Sequence, residues 1–266
     1  MTPTPDPELN AVLQELVTGI RSLLKANFLG AYLQGSFAIG DWDMESDVDF
    51  IVVIDQEVSE ADLSALQALH GRIYDLDSHW AQHLEGSYFP KDTLKQNAPT
   101  GTPLLYLDNT SRELIRSNHC NTLVVRWSVR EYGIPLAGPN PDVWIDPVSA
   151  DDLRREVRRT METWAQELFA RPEQMNNRWY QPFAVLSYCR MLHTLTTGRI
   201  GSKPAGAQWA RSALDSRWSA LIQRAWDERP NPSQKVTQPA DSEDFQSTLE
   251  FIRYALEVSR PSERED

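Results

Sequence analysis

The chain has 266 residues, of which 41% are hydrophobic, and its 38 acidic and 26 basic side chains give a formal net charge of −12. Nucleic-acid-binding proteins usually carry a basic face, so this charge predicts that the chain has no nucleic-acid partner. No apolar run approaches the length of a membrane span, and the first residues lack the basic and apolar segments of a signal peptide, so we predict a cytoplasmic protein without a membrane partner.

The first half of the chain alternates between helical and strand patterns. Apolar residues at helical spacing predict an amphipathic helix over residues 8–26. Further along, apolar patterns predict strands at about 29–34 and 48–54, a helix containing Leu63 to Trp80, strands near 83–89 and 103–107, and a helix over 121–132. Strands mixed with helices in this order predict an α+β domain with a mixed sheet.

A segment rich in proline and glycine, residues 133–149, interrupts these patterns and marks a domain boundary. Beyond it the strand signal fades, and helical patterns recur at 150–170, 181–197, about 205–213, 216–227 and 241–258. We therefore predict two domains, an α+β domain of residues 1–149, including the linker from about 133, and an all-α helical bundle of residues 150–266.

The most informative motif lies between Leu29 and Ile54. A Gly35-Ser36 turn follows one apolar strand, and the doublet Asp47-x-Asp49 opens the next. Alternation along a strand sends both carboxylates to one face, where they repel each other unless a cation lies between them. Mg²⁺ is normally held by one or two carboxylates plus substrate phosphates. Glycine permits close approach of the backbone to an anion, and a serine hydroxyl can donate to phosphate oxygens. The motif predicts a metal–nucleotide site.

A structural reading of the same motif is weaker. A lone Asp-x-Asp is common and usually marks a solvated strand end, and a lone Gly-Ser says less. The structural reading leaves two acids unexplained at the mouth of a buried strand, where unpaired charge is costly. The joint pattern therefore favours a site over a strand end.

Gly-Ser followed by Asp-x-Asp resembles the signature of the DNA polymerase beta-like nucleotidyltransferase superfamily. Within it the chain resembles the aminoglycoside adenylyltransferases, antibiotic-resistance enzymes that modify streptomycin and spectinomycin. Residues 136–139 and 145–148 resemble the segment that joins the two domains in that family. Arg190, then Thr197-Gly198 and Lys203-Pro204, resemble its nucleotide-contacting stretch, with similar spacing. The resemblance covers most of the chain and implies a nucleotidyltransferase fold for the first domain.

The resemblance implies a Mg²⁺-dependent transfer of AMP from ATP to a hydroxyl of a small molecule such as an aminoglycoside, by a monomeric enzyme. Asp47 and Asp49 are the expected metal ligands and catalytic carboxylates. Gly35 and Ser36, with Ser46 as a weaker candidate, are expected to contact the β- and γ-phosphates. Arg190 and Lys203 are expected to contact phosphates as well, since a guanidinium and an ammonium suit a triphosphate.

The acceptor hydroxyl must lose a proton, so a base is needed within hydrogen-bond reach. Glu85 lies in a short apolar strand expected beside the two aspartates, and it matches the place of the catalytic glutamate in the related enzymes. An exposed glutamate on an edge strand is the structural alternative. Asp75 and Asp77 rank below it, because their helical spacing suggests an exposed face.

The chain departs from the family at the start of the helix that carries Arg190. The streptomycin and spectinomycin adenylyltransferases grip the cationic drug there with acidic side chains, whereas residues 176–182 contain no carboxylate. The Asn, Trp and Tyr side chains of residues 176–182 in this chain suit a neutral polyol. Two alternatives therefore stay open: the same chemistry on a protein side chain or a metabolite, and a nucleotide-binding module without catalysis.

Overall fold

A computed structural model describes residues 2–230 and 235–260. The chain forms two compact units that meet in sequence at Val148 and Ser149. The helices are α1 (Pro7–Leu24), α2 (Gly35–Ile39), α3 (Glu60–Tyr74), α4 (Leu123–Tyr132), α5 (Ala150–Ala170), α6 (Tyr180–Thr197), α7 (Lys203–Ala213), α8 (Ser219–Glu228) and α9 (Ser242–Ser259). The strands are β1 (Phe28–Leu33), β2 (Val48–Ile54), β3 (Leu84–Pro90), β4 (Leu104–Leu107), β5 (Leu114–Ser117) and β6 (Ile134–Ala137).

The first unit is built on a six-stranded sheet in the order β5-β4-β3-β2-β1-β6. Strands β2 and β3 are parallel and are joined through α3, whereas the other neighbouring pairs are antiparallel. Parallel neighbours require a crossover connection, which the helical pattern of α3 supplies. The predicted mixed sheet followed by a helical region is confirmed.

Both faces of the sheet are covered, which explains the continuous apolar run of β2. Alternate residues of β2 enter two cores. The first core contains residues of α1 and α3 together with Val48, Phe50, Val52 and Ile54. The second contains Ile51, Val53, Phe89, Tyr106 and Val129. Asp49 has the same parity as Ile51 and Val53, so it lies on the face of the second core, at the start of the strand.

Local capping fixes where the first helices begin. Asp6 caps α1 by accepting the N–H of Leu9 at 3.0 Å, and its second oxygen accepts the indole N–H of Trp80 at 3.0 Å. Ser59 caps α3 by accepting the N–H of Asp62. Such caps satisfy backbone donors that have no partner within the helix.

The second unit is helical throughout its regular elements. Ser149 caps α5 by accepting the N–H of Asp152 at 3.1 Å. The core of the second unit includes the buried side chains Met161, Tyr188, Phe251 and Ile252. Among the described residues of the whole chain, we find no helix with the length and apolar character that crossing a bilayer requires.

Candidate active site

The Gly-Ser turn and the start of β2 lie directly against each other. The N–H of Gln34 donates to the carbonyl of Asp49 at 2.8 Å, which ties the end of β1 to the start of β2. Gly35 follows with a φ of +64°, and a Cβ placed on it would lie 2.0 Å from Oδ2 of Asp49. Both the backbone conformation and the contact require glycine. The two halves of the motif, ten residues apart in sequence, are therefore adjacent in space.

The two serines predicted to bind phosphate have different surroundings. Ser36 is the second residue of α2 and is half-buried, and its carbonyl accepts the N–H groups of Gly40 and Asp41. The hydroxyl of Ser46 accepts the N–H of Asp43 at 3.0 Å and lies 3.3 Å from its carboxylate. Ser46 therefore closes the turn just before Asp47, and phosphate contact by its hydroxyl stays a prediction.

Glu85 lies beside the aspartates, as the sequence predicted. It pairs with Asp49 in the parallel register of β2 and β3, and its side chain is 14% exposed. Burial raises the pKa of Glu85, a hydrogen bond from Tyr106 opposes this shift, and the charge of Asp47 raises the pKa further. A carboxylate whose pKa is raised in this way is better suited to accept a proton near neutral pH than an ordinary glutamate.

Sequence reasoning missed three side chains around Glu85. Tyr106 donates to Oε1 of Glu85 at 2.7 Å and lies 2.9 Å from Oδ1 of Asp108. Nε2 of His119 lies 3.5 Å from the same Glu85 oxygen. Burial and the charge of Glu85 raise the pKa of Tyr106 far above its ordinary value, so the hydroxyl keeps its proton and acts as a donor. Nothing local in sequence marks these residues, because the antiparallel pairing of β4 with β3 brings Tyr106 diagonally opposite Glu85.

Asn109, also missed from the sequence, contacts Asp47, which directly precedes β2. Its side-chain amide donates to Oδ1 of Asp47, and its oxygen lies 3.1 Å from Nδ1 of His83. Strand β4 is antiparallel to β3, so its last residues reach the edge of the sheet at which β2 and β3 begin. Strand β4 therefore supplies Tyr106, which contacts Glu85, and the turn after it supplies Asn109, which contacts Asp47.

The competing acids lie elsewhere. Asp75 caps the end of α3 and forms an ion pair with Arg112, and both side chains are more than half exposed. Asp77 is also exposed. Both positions are consistent with the exposed face that their spacing suggests.

The donor set fits a magnesium ion that substrate helps to bind. Within residues 2–230 and 235–260, no three or more His, Cys, Asp or Glu side chains are arranged to hold a metal by themselves. Mg²⁺ retains several waters and takes one or two carboxylates plus phosphate oxygens, so it does not need a third protein ligand. Asp47 and Asp49, next to the Gly35 turn, would supply the hard oxygen donors.

Arg190 and Lys203 lie in the second unit, where α6 packs against the turn that precedes α7. Arg190 is on α6, and its Nε donates to the carbonyl of Gly201 at 3.3 Å. Lys203 is the first residue of α7, directly after Ser202, which caps that helix. Gly206 of α7 packs on Arg190, where a Cβ would lie 2.8 Å from its Cγ. The structure thus brings Arg190 to the turn that carries Lys203, and phosphate contact by either residue stays a prediction.

The stretch that departs from the family pattern, residues 176–182, begins α6. The side-chain oxygen of Asn177 accepts the N–H groups of Trp179 and Tyr180 at 3.1 and 2.7 Å, which orders the turn that leads into α6. The ring of Trp179 stacks on Phe183 with centroids 5.1 Å apart. Arg178 forms an ion pair with Glu228. The stretch therefore carries aromatic and amide groups beside Arg178, and recognition of a neutral polyol by its Asn, Trp and Tyr side chains stays a prediction.

Two family models match the chain, one in each half. Residues 13–98 match a nucleotidyltransferase domain, and residues 144–256 match the C-terminal domain of aminoglycoside adenylyltransferase. The first match contains Gly35, Ser36, Asp47, Asp49 and Glu85, and the second contains Arg190 and Lys203.

Curated relatives are similar over most of their length. Aminoglycoside (3'') (9) adenylyltransferase of Shigella flexneri is 22% identical over 256 residues, covering 93% of each chain. Spectinomycin 9-adenylyltransferase of Staphylococcus aureus is 24% identical over 214 residues, covering 76% of this chain and 78% of the relative. These similarities confirm the predicted resemblance to the aminoglycoside adenylyltransferases.

A solved structure is similar as well. Spectinomycin adenyltransferase AAD(9) from Enterococcus faecialis, solved with ATP and spectinomycin, matches with a TM-score of 0.66 and 13% identity. The match covers 93% of this chain and 98% of that one. At this level of identity the likeness shows a common fold.

Proposed function

Because the chain is a nucleotidyltransferase related over most of its length to the aminoglycoside adenylyltransferases, we propose that it transfers AMP from ATP to a hydroxyl of a small molecule in the presence of Mg²⁺. The observation that carries this proposal is the contact of Gly35 with Asp49, with Glu85 beside Asp49 in the next strand. This arrangement supports a nucleotide seated on the Gly-Ser turn next to a metal and a base.

The protein residues have separate tasks in this reaction. Asp47 and Asp49 would hold Mg²⁺, which when bound neutralises charge on the phosphates. Ser36 would donate to phosphate oxygens, and Arg190 and Lys203 of the second unit are proposed as further phosphate contacts. The protein has little covalent chemistry to perform, so positioning and charge neutralisation provide most of the rate acceleration.

Glu85 is proposed as the general base. Its largely buried carboxylate would accept the proton of the acceptor hydroxyl as that oxygen attacks the α-phosphorus and pyrophosphate leaves. Tyr106 donates to Oε1 of Glu85 at 2.7 Å, which holds the carboxylate in one orientation. General-base catalysis by a positioned side chain contributes about 10²- to 10⁴-fold to the rate.

An aminoglycoside or spectinomycin is the first acceptor to test, because relatives that match most of the chain carry those names. The absence of carboxylates over residues 176–182 favours a less cationic acceptor within the same chemistry. Trp179 and Tyr180 would stack on, and bond to, a hydroxylated ring at that position. We propose further that the enzyme acts as a cytoplasmic monomer.

The decisive experiment incubates the purified chain with [α-³²P]ATP, Mg²⁺ and a panel that includes spectinomycin, streptomycin and neutral aminocyclitol or polyol acceptors. We expect labelled AMP on a small molecule, loss of transfer in Asp47→Ala and Asp49→Ala, and loss of transfer with retained ATP binding in Glu85→Gln. Asp75→Asn, an exposed acid of the same unit, is the matched control and should keep full activity.

Other outcomes separate the alternatives. Label on a protein band, with none on the panel, would move the acceptor to a protein side chain. ATP binding without pyrophosphate release for any acceptor would favour a non-catalytic nucleotide-binding module. Normal transfer by Glu85→Gln would remove Glu85 from the role of base.

A further inference from the structure

The turn after β4 is held firmly against the start of β3. Thr110 has a φ of 60°, a conformation that β-branched residues rarely adopt, and its N–H donates to the carbonyl of Gln82 at 3.2 Å. The N–H of Ser111 donates to the carbonyl of Asp108 at 3.0 Å and closes the turn. Asn109, which lies between Asp108 and Thr110, is half-buried, and its side chain is directed at Asp47.

Asn109 forms a chain of hydrogen bonds between Asp47 and His83. A carboxylate only accepts hydrogen bonds, so the amide nitrogen of Asn109 must face Asp47, and the amide oxygen must face His83. It follows that Nδ1 of His83 carries a hydrogen, whichever charge the ring has. His83 in turn lies against His79, with ring centroids 4.5 Å apart, so its orientation is also constrained.

We propose that Asn109 is a positioning residue for Asp47, oriented by His83, and that it sets the direction in which the Asp47 carboxylate meets a divalent cation. This inference rests on the proposed function, in which Asp47 is a metal ligand. A hydrogen bond to one carboxylate oxygen restricts rotation of the group before metal arrives. Loss of such an outer partner typically lowers metal affinity or activity by about 10- to 100-fold.

A purely structural role for Asn109 makes a different prediction. If Asn109 served only to tie the turn to the sheet, its removal would lower thermal stability and leave metal affinity unchanged in the folded fraction. The turn keeps two backbone hydrogen bonds that do not involve the Asn109 side chain. Metal affinity therefore separates the two roles.

The test measures binding of Mn²⁺ to the full chain in the presence of α,β-methylene-ATP, from the electron paramagnetic resonance signal of free Mn²⁺. Asn109→Ala and the nearly isosteric Asn109→Leu should each weaken Mn²⁺ binding about tenfold or more. Binding of the nucleotide alone, measured by calorimetry in EDTA, should change less than twofold. Using two variants guards against loss of folding in one of them.

Two control variants match the perturbation. Asn27→Ala removes an asparagine that also makes two side-chain hydrogen bonds, but at the far end of β2, where it contacts Gln56. Ser111→Ala alters the same turn without touching Asp47. Both should bind Mn²⁺ within twofold of the unaltered chain.

A second measurement does not depend on metal. In ¹⁵N-histidine-labelled protein at a pH where the ring is neutral, the signal lost in His83→Gln should show a hydrogen on Nδ1. In Asn109→Leu the same signal should shift towards a ring that carries its hydrogen on Nε2. A hydrogen on Nε2 in the unaltered chain would overturn the hydrogen-bond chain itself.

The outcomes distinguish this inference from the proposed function. If Asp47→Ala abolishes Mn²⁺ binding while both Asn109 variants bind normally, the positioning role is wrong and the proposed metal site stands. If the unaltered chain binds no Mn²⁺ with nucleotide, or Asp47→Ala binds it normally, both the proposed site and the positioning role are wrong.

Discussion

The contact between Gly35 and Asp49 gives the sharpest prediction, for the substitution Gly35→Ala. The new Cβ would lie 2.0 Å from Oδ2, 2.8 Å from Cγ and 3.0 Å from Cβ of Asp49, whereas ordinary contact begins at 3.4 Å. The carboxylate must therefore move by about 1.4 Å. It cannot simply swing away, because its Cβ is also close and the hydrogen bond from Gln34 fixes the backbone.

A displacement of this size has a predictable cost in rate. Misplacing a catalytic group by about 1 Å costs about 10²-fold, so we expect kcat of Gly35→Ala to fall by at least that factor. The positive φ adds a loss of about 1–2 kcal/mol in the free energy of unfolding. The assay follows pyrophosphate release with Mg²⁺-ATP and the best acceptor, alongside urea unfolding of the same preparation.

Gly40→Ala is the matched control. Gly40 caps the other end of α2 with a φ of +89°, and a Cβ placed there meets nothing within 4 Å. It therefore carries the same kind of backbone strain without the contact, and should lose stability while keeping kcat within about threefold. Equal activity in Gly35→Ala and Gly40→Ala would refute the reasoning, because the contact with Asp49 would then have no bearing on catalysis.

Three further predictions concern the site and its support. Tyr106→Phe removes the hydrogen bond that lowers the pKa of Glu85, so this pKa should rise. The fall of kcat/KM at low pH, where the base is protonated, should therefore begin at a higher pH than in the unaltered chain. An unchanged pH profile would contradict this. Arg126→Met removes a buried guanidinium that donates to three backbone carbonyls and a side-chain amide, and should lower the free energy of unfolding by about 3 kcal/mol in urea titrations. Gly206→Ala pushes α7 away from Arg190 and should cost about 1–3 kcal/mol of unfolding free energy and raise the KM for ATP, whereas unchanged values of both would argue against that packing.

Elements with strong periodicity were predictable from the sequence, and short edge elements were not. The predicted strand at 48–54 coincides with β2, and the helix at 150–170 coincides with α5. Strand β5 was missed, because its four residues have a largely exposed, non-alternating pattern and it is defined by pairing with β4. Strand β6 lies inside the segment expected to form a boundary, where Pro135 is tolerated because the strand is at the edge of the sheet.

The residues of the candidate site also differ in whether the sequence could predict them. Gly35, Ser36 and the Asp47–Asp49 pair were evident from sequence, because a turn and a strand start are local features with their own residue requirements. Glu85 needed the resemblance to a family as well, since an isolated glutamate on a strand has no distinguishing neighbours.

The partners of these acids were decided by tertiary structure. Tyr106 lies 21 residues from Glu85 in sequence, and Asn109 lies 62 residues from Asp47. They meet them because β4 runs antiparallel to β3 and ends where β2 and β3 begin. Strand pairing depends on the register of distant segments, and no local pattern encodes that register. The sequence alone therefore determined which carboxylates and which chemistry to propose, and the folded sheet determined which distant side chains contact those carboxylates and orient them.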